Sequence, residues 1–454
     1  MLGKETLEGA PTAAAVPPTR SPCLTDPPAG HWYSLLTCLL AVQILIEARC
    51  CLRGTQLLLG ILCEFTEVQT PSHETLRRWL LRIGLYELRR PIAPAADWIW
   101  IIDHNAPVGP EKVLLVIGVR RSVLLEKKGI LTLQDVQVLH LDVMTNSTGE
   151  LMKDQLRKLI LRTGIIPLQI VTDHGSDLTK GIRLLRQEFP QIIDTYDISH
   201  KLACLLKGEL ANDERWKAFL ASCAKARPRL QQTQGSSLMP PEVRVKARYM
   251  ALDRQVDWAK KRLVYLDGPD DAKLARRLGL TAAETRAWVE ERIGWLRDFR
   301  SDIQLYGAMM AVVRVAQIVV KKEGIRRDSA TRFAQSLPTD LPEHERSRGL
   351  IDAVKKFLQG EGAKLADDNR YLGSSDLIES LFGKHKLFTE NRTHKGIGPN
   401  LLLLPTLTVT WTAEAVRTAL ESTSCQAAKD WCREIFARTG PAPAPSPNEG
   451  QKVA

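Results

Sequence analysis

Three acidic residues stand out by where the chain places them. Asp103 closes the run Trp-Ile-Trp-Ile-Ile-Asp at 98–103, and Asp173 follows the apolar run 168–172. Both runs have the aromatic and β-branched texture of buried strands. Open α/β sheets gather ligands at the carboxyl ends of their strands, so an acid there has a reason to face a cleft. A third carboxylate is expected from a helix packed beside the sheet. Glu379, in Ser-Ser-Asp-Leu-Ile-Glu-Ser-Leu-Phe-Gly-Lys-His-Lys at 374–386, is the best candidate, with Asp376 as its rival. Asp177 reads instead as the opening of the next helix.

Three clustered carboxylates repel one another, and alone one of them would keep its proton. Two divalent cations roughly 3.5–4 Å apart compensate the charge and clamp the attacking and leaving oxygens of an in-line displacement at phosphorus. All-oxygen ligation favours Mg²⁺, with Mn²⁺ able to substitute, over zinc. The same pocket can hydrolyse one phosphodiester and then activate the freed 3′-hydroxyl against a second.

The elements that must position these acids follow from the apolar periodicity. Strands are expected at 98–103, 113–120, 135–143, 168–172 and 192–196, with helices at 150–162 and 178–189, giving the order β-β-β-α-β-α-β. Segment 31–92 is helical, with an apolar helix at 33–46 and another at 52–65. A polar break at 66–71 follows, then a helix opened by Ser72 as N-cap and closed at Gly84 as C′. The second of this pair carries Arg77, Arg78 and Arg82, the pattern of a DNA-binding helix-turn-helix.

The remaining chain divides by texture. Residues 93–211 form the first part of a catalytic core and 212–368 an all-α insertion, with long helices at 242–265, 281–305 and 308–322. Residues 369–438 complete the core with the acidic helix and a C-terminal helix at 412–437. The Ala- and Pro-rich ends, 1–30 and 439–454, read as disordered tails.

Composition excludes a fibrous or wholly disordered chain: 454 residues are 44% hydrophobic and 25% charged. The net charge of +11 points to a polyanionic partner, nucleic acid above all. Nine cysteines without a CxxC read as mostly buried thiols of a reducing compartment. The apolar stretch 33–46 is shorter than the roughly 20 residues that span a bilayer. A cytoplasmic protein without a membrane partner is expected.

The three-strand opening, Asp103 on the first strand, Asp173 after the fourth and Glu379 on a late helix resemble the RNase H-like catalytic domain of DDE insertion-sequence transposases. Asp197-Ile-Ser-His200 is similar to the (Cys/Asp)-x-x-His motif that several such families show after the fifth strand. The resemblance spans about 98–403 and implies an α/β RNase H-like core, a mixed five-stranded sheet, interrupted by an all-α insertion domain. It implies that Asp103, Asp173 and Glu379 bind two Mg²⁺ ions, with His200 accessory near the scissile phosphate. Where some relatives carry Tyr and Arg before the last acid, this chain has Leu372 and Ser375. The phosphate contact would fall instead to Lys384, Lys386 and Arg392. In related enzymes an insertion-domain aromatic stacks on an unpaired base, and Trp295 stands for that role here, although its spacing from Trp288 also suits core packing. The partners implied are double-stranded DNA, as element ends and target, and a homodimer or higher assembly on it, at the nucleoid.

Three other readings share parts of this pattern. One is an RNase H-like nuclease or resolvase. Another is a zinc or dinuclear metallohydrolase built from Asp103-His104, Asp173-His174 and His200. The third is a non-catalytic DNA-binding relative that keeps only the helix-turn-helix.

Overall fold

The structure, a computed structural model, describes residues 23–105, 111–242, 252–389 and 398–437. It opens with helices α1 (Leu35–Ile46), α2 (Leu52–Leu62) and α3 (His73–Arg89). There follow β1 (Trp98–Asn105), β2 (Lys112–Arg120), α4 (Arg121–Glu126), β3 (Gln137–Met144), α5 (Gly149–Thr163), β4 (Gln169–Thr172), α6 (Ser176–Glu188), β5 (Ile193–Tyr196) and α7 (Ile198–Leu210). A helical block continues with α8 (Glu214–Gln231), α9 (Asp253–Leu266), α10 (Ala272–Leu278), α11 (Ala282–Ile293), α12 (Arg300–Glu323), α13 (Ser329–Ser336) and α14 (Glu345–Ala363). The chain closes with α15 (Asp376–Thr389), α16 (Leu403–Thr406), α17 (Ala413–Ser422) and α18 (Cys425–Ala437). The expected tails fall largely outside the described residues, and 23–30 is irregular.

The described residues form two compact units, 23–87 with 410–431, and 88–409 with 432–437. In the larger unit the strands make one mixed sheet of order β3-β2-β1-β4-β5. β1 and β3 each pair antiparallel with β2, whereas β1, β4 and β5 run parallel. Alternation along β1 sends Trp98, Trp100 and Ile102 into a core with Met152, Leu156 and Leu159 of α5 and Leu178, Ile182 and Leu185 of α6. This is an α/β fold whose five strands and helices α5 and α6 follow the order that the periodicity predicts; the short helix α4 between β2 and β3 is an addition to it.

The helical block has its own core, where Trp216, Phe219, Trp258, Phe299 and Tyr306 meet. The helix expected at 281–305 is broken by a 3₁₀ turn at Gly294–Phe299, and α12 runs on from it to Glu323. The turn sets Trp295 and Phe299 against the aromatic cluster. The helix expected at 242–265 is described from Asp253, and 243–251 lies outside the described residues. Within the described residues, the one helical stretch long and apolar enough to cross a membrane is Ala282–Glu323, and 67% of its apolar window is buried inside the protein.

In the smaller unit, α1 packs against α17. The expected single helix at 412–437 is two helices. Thr423 turns extended, and Ser424 accepts the Ala427 N–H at 3.0 Å to start α18. The stretch 410–431 therefore belongs with the N-terminal helices rather than with the acidic helix. Ser72 does cap α3, accepting the Thr75 N–H at 3.1 Å, but Gly84 is buried inside that helix, which runs on to Arg89. The link between α2 and α3 is ten residues, against the three or four of a helix-turn-helix. It is pinned to the start of α1, because Gln69 N–H donates to Thr37 Oγ1 and Gln69 Oε1 accepts the Ser34 N–H. All nine cysteines are free thiols, but only Cys38 and Cys223 are buried, so the expectation of mostly buried thiols fails.

Candidate active site

Strand register brings the first two acids side by side. Ile101 lies opposite Val171 across parallel β1 and β4, and Thr172 opposite Tyr196 across β4 and β5. Extending both registers past the strand ends sets Asp103, Asp173 and Asp197 in one row at the carboxyl ends of three parallel strands. Period-two alternation puts them on the face opposite the α5–α6 core. Neighbouring strands lie about 4.8 Å apart, so a charge on one of these acids is felt by the next.

Glu379 arrives at this row from α15. Ile378 and Leu381 of that helix are fully buried and Phe382 nearly so, which fixes its rotation, while Glu379 keeps 41% of its side chain exposed. Its carboxylate lies 3.6 Å from His200 Nε2 on α7. The rival Asp376 points elsewhere and pairs with Lys321 of α12 at 2.8 Å.

The electrostatics report the convergence. Burial pushes the Asp103 carboxyl up to about 7; Asp173 and, more weakly, Glu379 add to the push, while its own bond from the His104 N–H (2.7 Å) and the nearby His200 oppose it. The His200 imidazole is raised by the Glu379 carboxylate beside it and by Asp197 and Asp173, against the opposing effect of its burial. Asp103, Asp173, Glu379 and His200 thus share one electrostatic neighbourhood.

The return of the chain from the helical block to this neighbourhood is held by buried polar groups. Gln169 on β4 donates to the Leu372 carbonyl at 2.6 Å and accepts the Leu372 N–H at 3.1 Å. The Ile198 N–H donates to the Gly373 carbonyl at 3.0 Å. A Cβ at Gly373 would lie 2.3 Å from Val320 Cγ1, so only glycine allows the segment to seat this closely. Asp197, fully buried, accepts the His200 N–H at 2.8 Å on one oxygen; on the other it accepts the Ser375 N–H at 2.5 Å and hydroxyl at 2.9 Å. Sequence reading missed Gln169 and Ser375, and took Asp197 only as part of a motif. The available signal was a Gln in an apolar strand and an Asp in N-cap position.

The histidines next to the aspartates turn away. His104 contacts Met152 at 3.1 Å and lies 3.8 Å from Asp177 on the α5–α6 side. His174, in left-handed backbone with φ 57°, lies 3.2 Å from Asp194 and stacks on Tyr196 at 4.2 Å. The zinc set Asp103-His104, Asp173-His174, His200 is therefore not assembled. Among the described residues no group of three or more His, Cys, Asp or Glu closes tightly enough to hold a metal ion as it stands. The residues that could hold one are Asp103, Asp173 and Glu379, whose hard oxygen donors suit Mg²⁺ or Mn²⁺.

The candidate DNA contacts divide. Arg77 and Arg78 lie on α3 and pair with Glu74 at 2.8 and 3.3 Å. Arg82, by contrast, donates to the carbonyls of Leu420 and Thr423 at the end of α17, an internal role that overturns its reading as a DNA contact. Trp295 packs on Trp258, Phe219 and Phe299, as its core-packing alternative expects, and stays part-exposed. Lys384 and Lys386 follow Glu379 on α15, Lys386 on the same helix face at i+7; Arg392 lies outside the described residues. Compared with known proteins, the chain matches no family description and no curated protein.

Proposed function

We propose that this protein is a DNA transposase of the insertion-sequence type, with an RNase H-like core that cleaves and joins phosphodiesters at one two-metal site. The observation that carries the reading is the meeting of Asp103, Asp173 and Glu379 with His200 at the carboxyl ends of the parallel strands of a β3-β2-β1-β4-β5 sheet. Two acids come from adjacent strands and the third from a helix some 200 residues later, an arrangement that makes sense if a shared charge must be bound between them.

Bound divalent ions would supply charge compensation and Lewis-acid polarisation of the scissile phosphate. The chain's own residues do the positioning. Asp103 and Asp173 form the fixed wall on the sheet. Glu379 approaches from the open side on α15, with Lys386 two turns on for a phosphate oxygen. His200, whose protonated form Glu379 favours, stands with its Nε2 3.6 Å from the glutamate carboxylate, where it holds that side chain toward the row of aspartates. The basic excess of the chain serves the DNA backbone.

The test is a labelled duplex carrying the ends of the element, incubated with Mg²⁺ and a second duplex. Cleavage followed by joining of the labelled 3′-hydroxyl is expected from the wild type. Asp103→Asn, Asp173→Asn and Glu379→Gln should each abolish both steps while leaving DNA affinity within a few-fold. Cleavage without joining would favour the nuclease or resolvase reading. DNA binding that no active-site substitution affects, with no cleavage, would favour the non-catalytic one.

A further inference from the structure

One face of α2 carries apolar side chains into solvent. Leu57 is 70% exposed, Leu58 40%, Ile61 56% and Phe65 78%, while Thr55 and Leu59 on the opposite side are fully buried. The chain keeps coiling past the helix end, with Glu64 N–H donating to Ile61 and Phe65 N–H to Leu62, so both residues stay on the exposed side. At 100° per residue, Arg53, Leu57, Ile61 and Glu64 form one stripe flanked by Leu58 and Phe65. Arg53 and Glu64 are exposed at its two ends, and the stretch 54–63 between them holds no charge.

We propose that this face is the contact through which two copies of the chain dimerise, α2 against α2 and antiparallel. The stripe reads positive, apolar, negative along the helix. A two-fold axis crossing α2 near Leu58 and Leu59 lays Arg53 of each copy beside Glu64 of the other and Leu57 against Ile61, the self-complementarity that an isologous interface requires. The four apolar side chains leave roughly 500 Å² uncovered. A pair of copies therefore removes at most about 1,000 Å² from water, the size of a weak, concentration-dependent interface. A nucleic-acid partner would find one cation on the stripe, Arg53 at one end, set against the exposed Glu64 at the other, with only apolar side chains between them. The inference does not rest on the catalytic reading.

The experiment is sedimentation velocity on the full chain, without DNA, over a wide concentration range. The wild type should show a concentration-dependent dimer. Arg53→Glu and Glu64→Arg should each weaken it roughly tenfold, since two symmetry-related pairs become repulsive, and the double variant should restore it. Leu57→Glu should give monomer with an unchanged circular dichroism spectrum. A chain that is monomeric at every concentration would overturn the proposal, as would a dimer indifferent to these changes or a double variant that fails to recover. A monomer that Leu57→Glu destabilises would show instead that the face is covered by another part of the same chain.

Discussion

Asp197 and Ser375 are 178 residues apart in sequence and share a hydrogen bond in the protein interior. One carboxylate oxygen of Asp197 takes both the N–H and the hydroxyl of Ser375, immediately before α15, while the other caps α7 at the His200 N–H. The helix that carries His200 and the helix that carries Glu379 are therefore registered by a single buried side chain. Asp197→Ala leaves three donors without their acceptor. It should cost roughly 2–4 kcal/mol, combining a lost N-cap with lost buried bonds, and depress cleavage beyond what the loss of folded protein explains. Ser375→Ala, which removes only the hydroxyl, should cost less. Urea unfolding measures both, and equal costs would show that the backbone bond to Ser375 contributes little.

A second tie on the same return segment is sensitive to acid. The nearly buried guanidinium of Arg121 forms paired bonds to Asp367, donates to the Arg370 carbonyl and lies 3.9 Å over the Tyr371 ring. That guanidinium holds the Asp367 carboxyl down at about 2. A carboxyl whose folded pKa lies below its unfolded value adds stability above the unfolded value, near 4, and the contribution fades as pH falls toward 2. Acid unfolding of the wild type should show this loss between about pH 4 and 2. Asp367→Asn should be less stable at neutral pH and flatter through that window; a parallel pH curve would remove the pair as the cause.

Metal-free, the acidic row is a source of strain. Asp103 is buried beside Asp173 and near Glu379, with the His104 N–H and His200 in partial compensation, so an anionic Asp103 costs stability until a cation arrives. Asp103→Asn should raise the thermal midpoint by a few degrees at pH 8 in chelator. Saturating Mg²⁺ should reverse the order, lifting the wild type above the variant by mass action. Differential scanning fluorimetry with and without chelator reads both. A midpoint of the wild type that Mg²⁺ leaves unmoved would count against cation binding at this row.

How much of this was legible beforehand follows the range of the interactions. Trp98 to Asp103 announces a strand because its texture is local, and so does the amphipathic pattern of α5 and α6. Placing Asp103 beside Asp173 needed only the two strand ends to be right. The choice of Glu379 over Asp376 agrees with the contact to His200, but the deciding partner, Lys321, lies on α12 and leaves no local trace. The Gln169 bonds to Leu372 and the Asp197 bond to Ser375 cross the whole helical block. Trp295 was ambiguous because a stripe of tryptophans looks the same in sequence whether it meets a core or a base. Its packing against Trp258, Phe219 and Phe299 is a contact between distant segments that the local pattern does not show.

Three of the four arginines of α3, Arg77, Arg78 and Arg82, have separable fates despite identical side chains. Arg82 donates to two carbonyls at the end of α17, where a cation also meets the negative end of the helix dipole. Arg82→Ala should therefore lower stability, by roughly 1–3 kcal/mol, and leave the salt dependence of DNA binding unchanged once folded protein is matched. Arg77 and Arg78 lie on the same helix in exposed ion pairs with Glu74, which are worth little and easily exchanged for a phosphate. Arg78→Ala should leave stability nearly untouched; the salt response is read in both Arg77→Ala and Arg78→Ala. Each should reduce the slope of log affinity against log salt by about 0.9 if it meets a phosphate. Fluorescence anisotropy across a salt series separates the two behaviours, and a slope that only Arg82→Ala changes would invert the assignment.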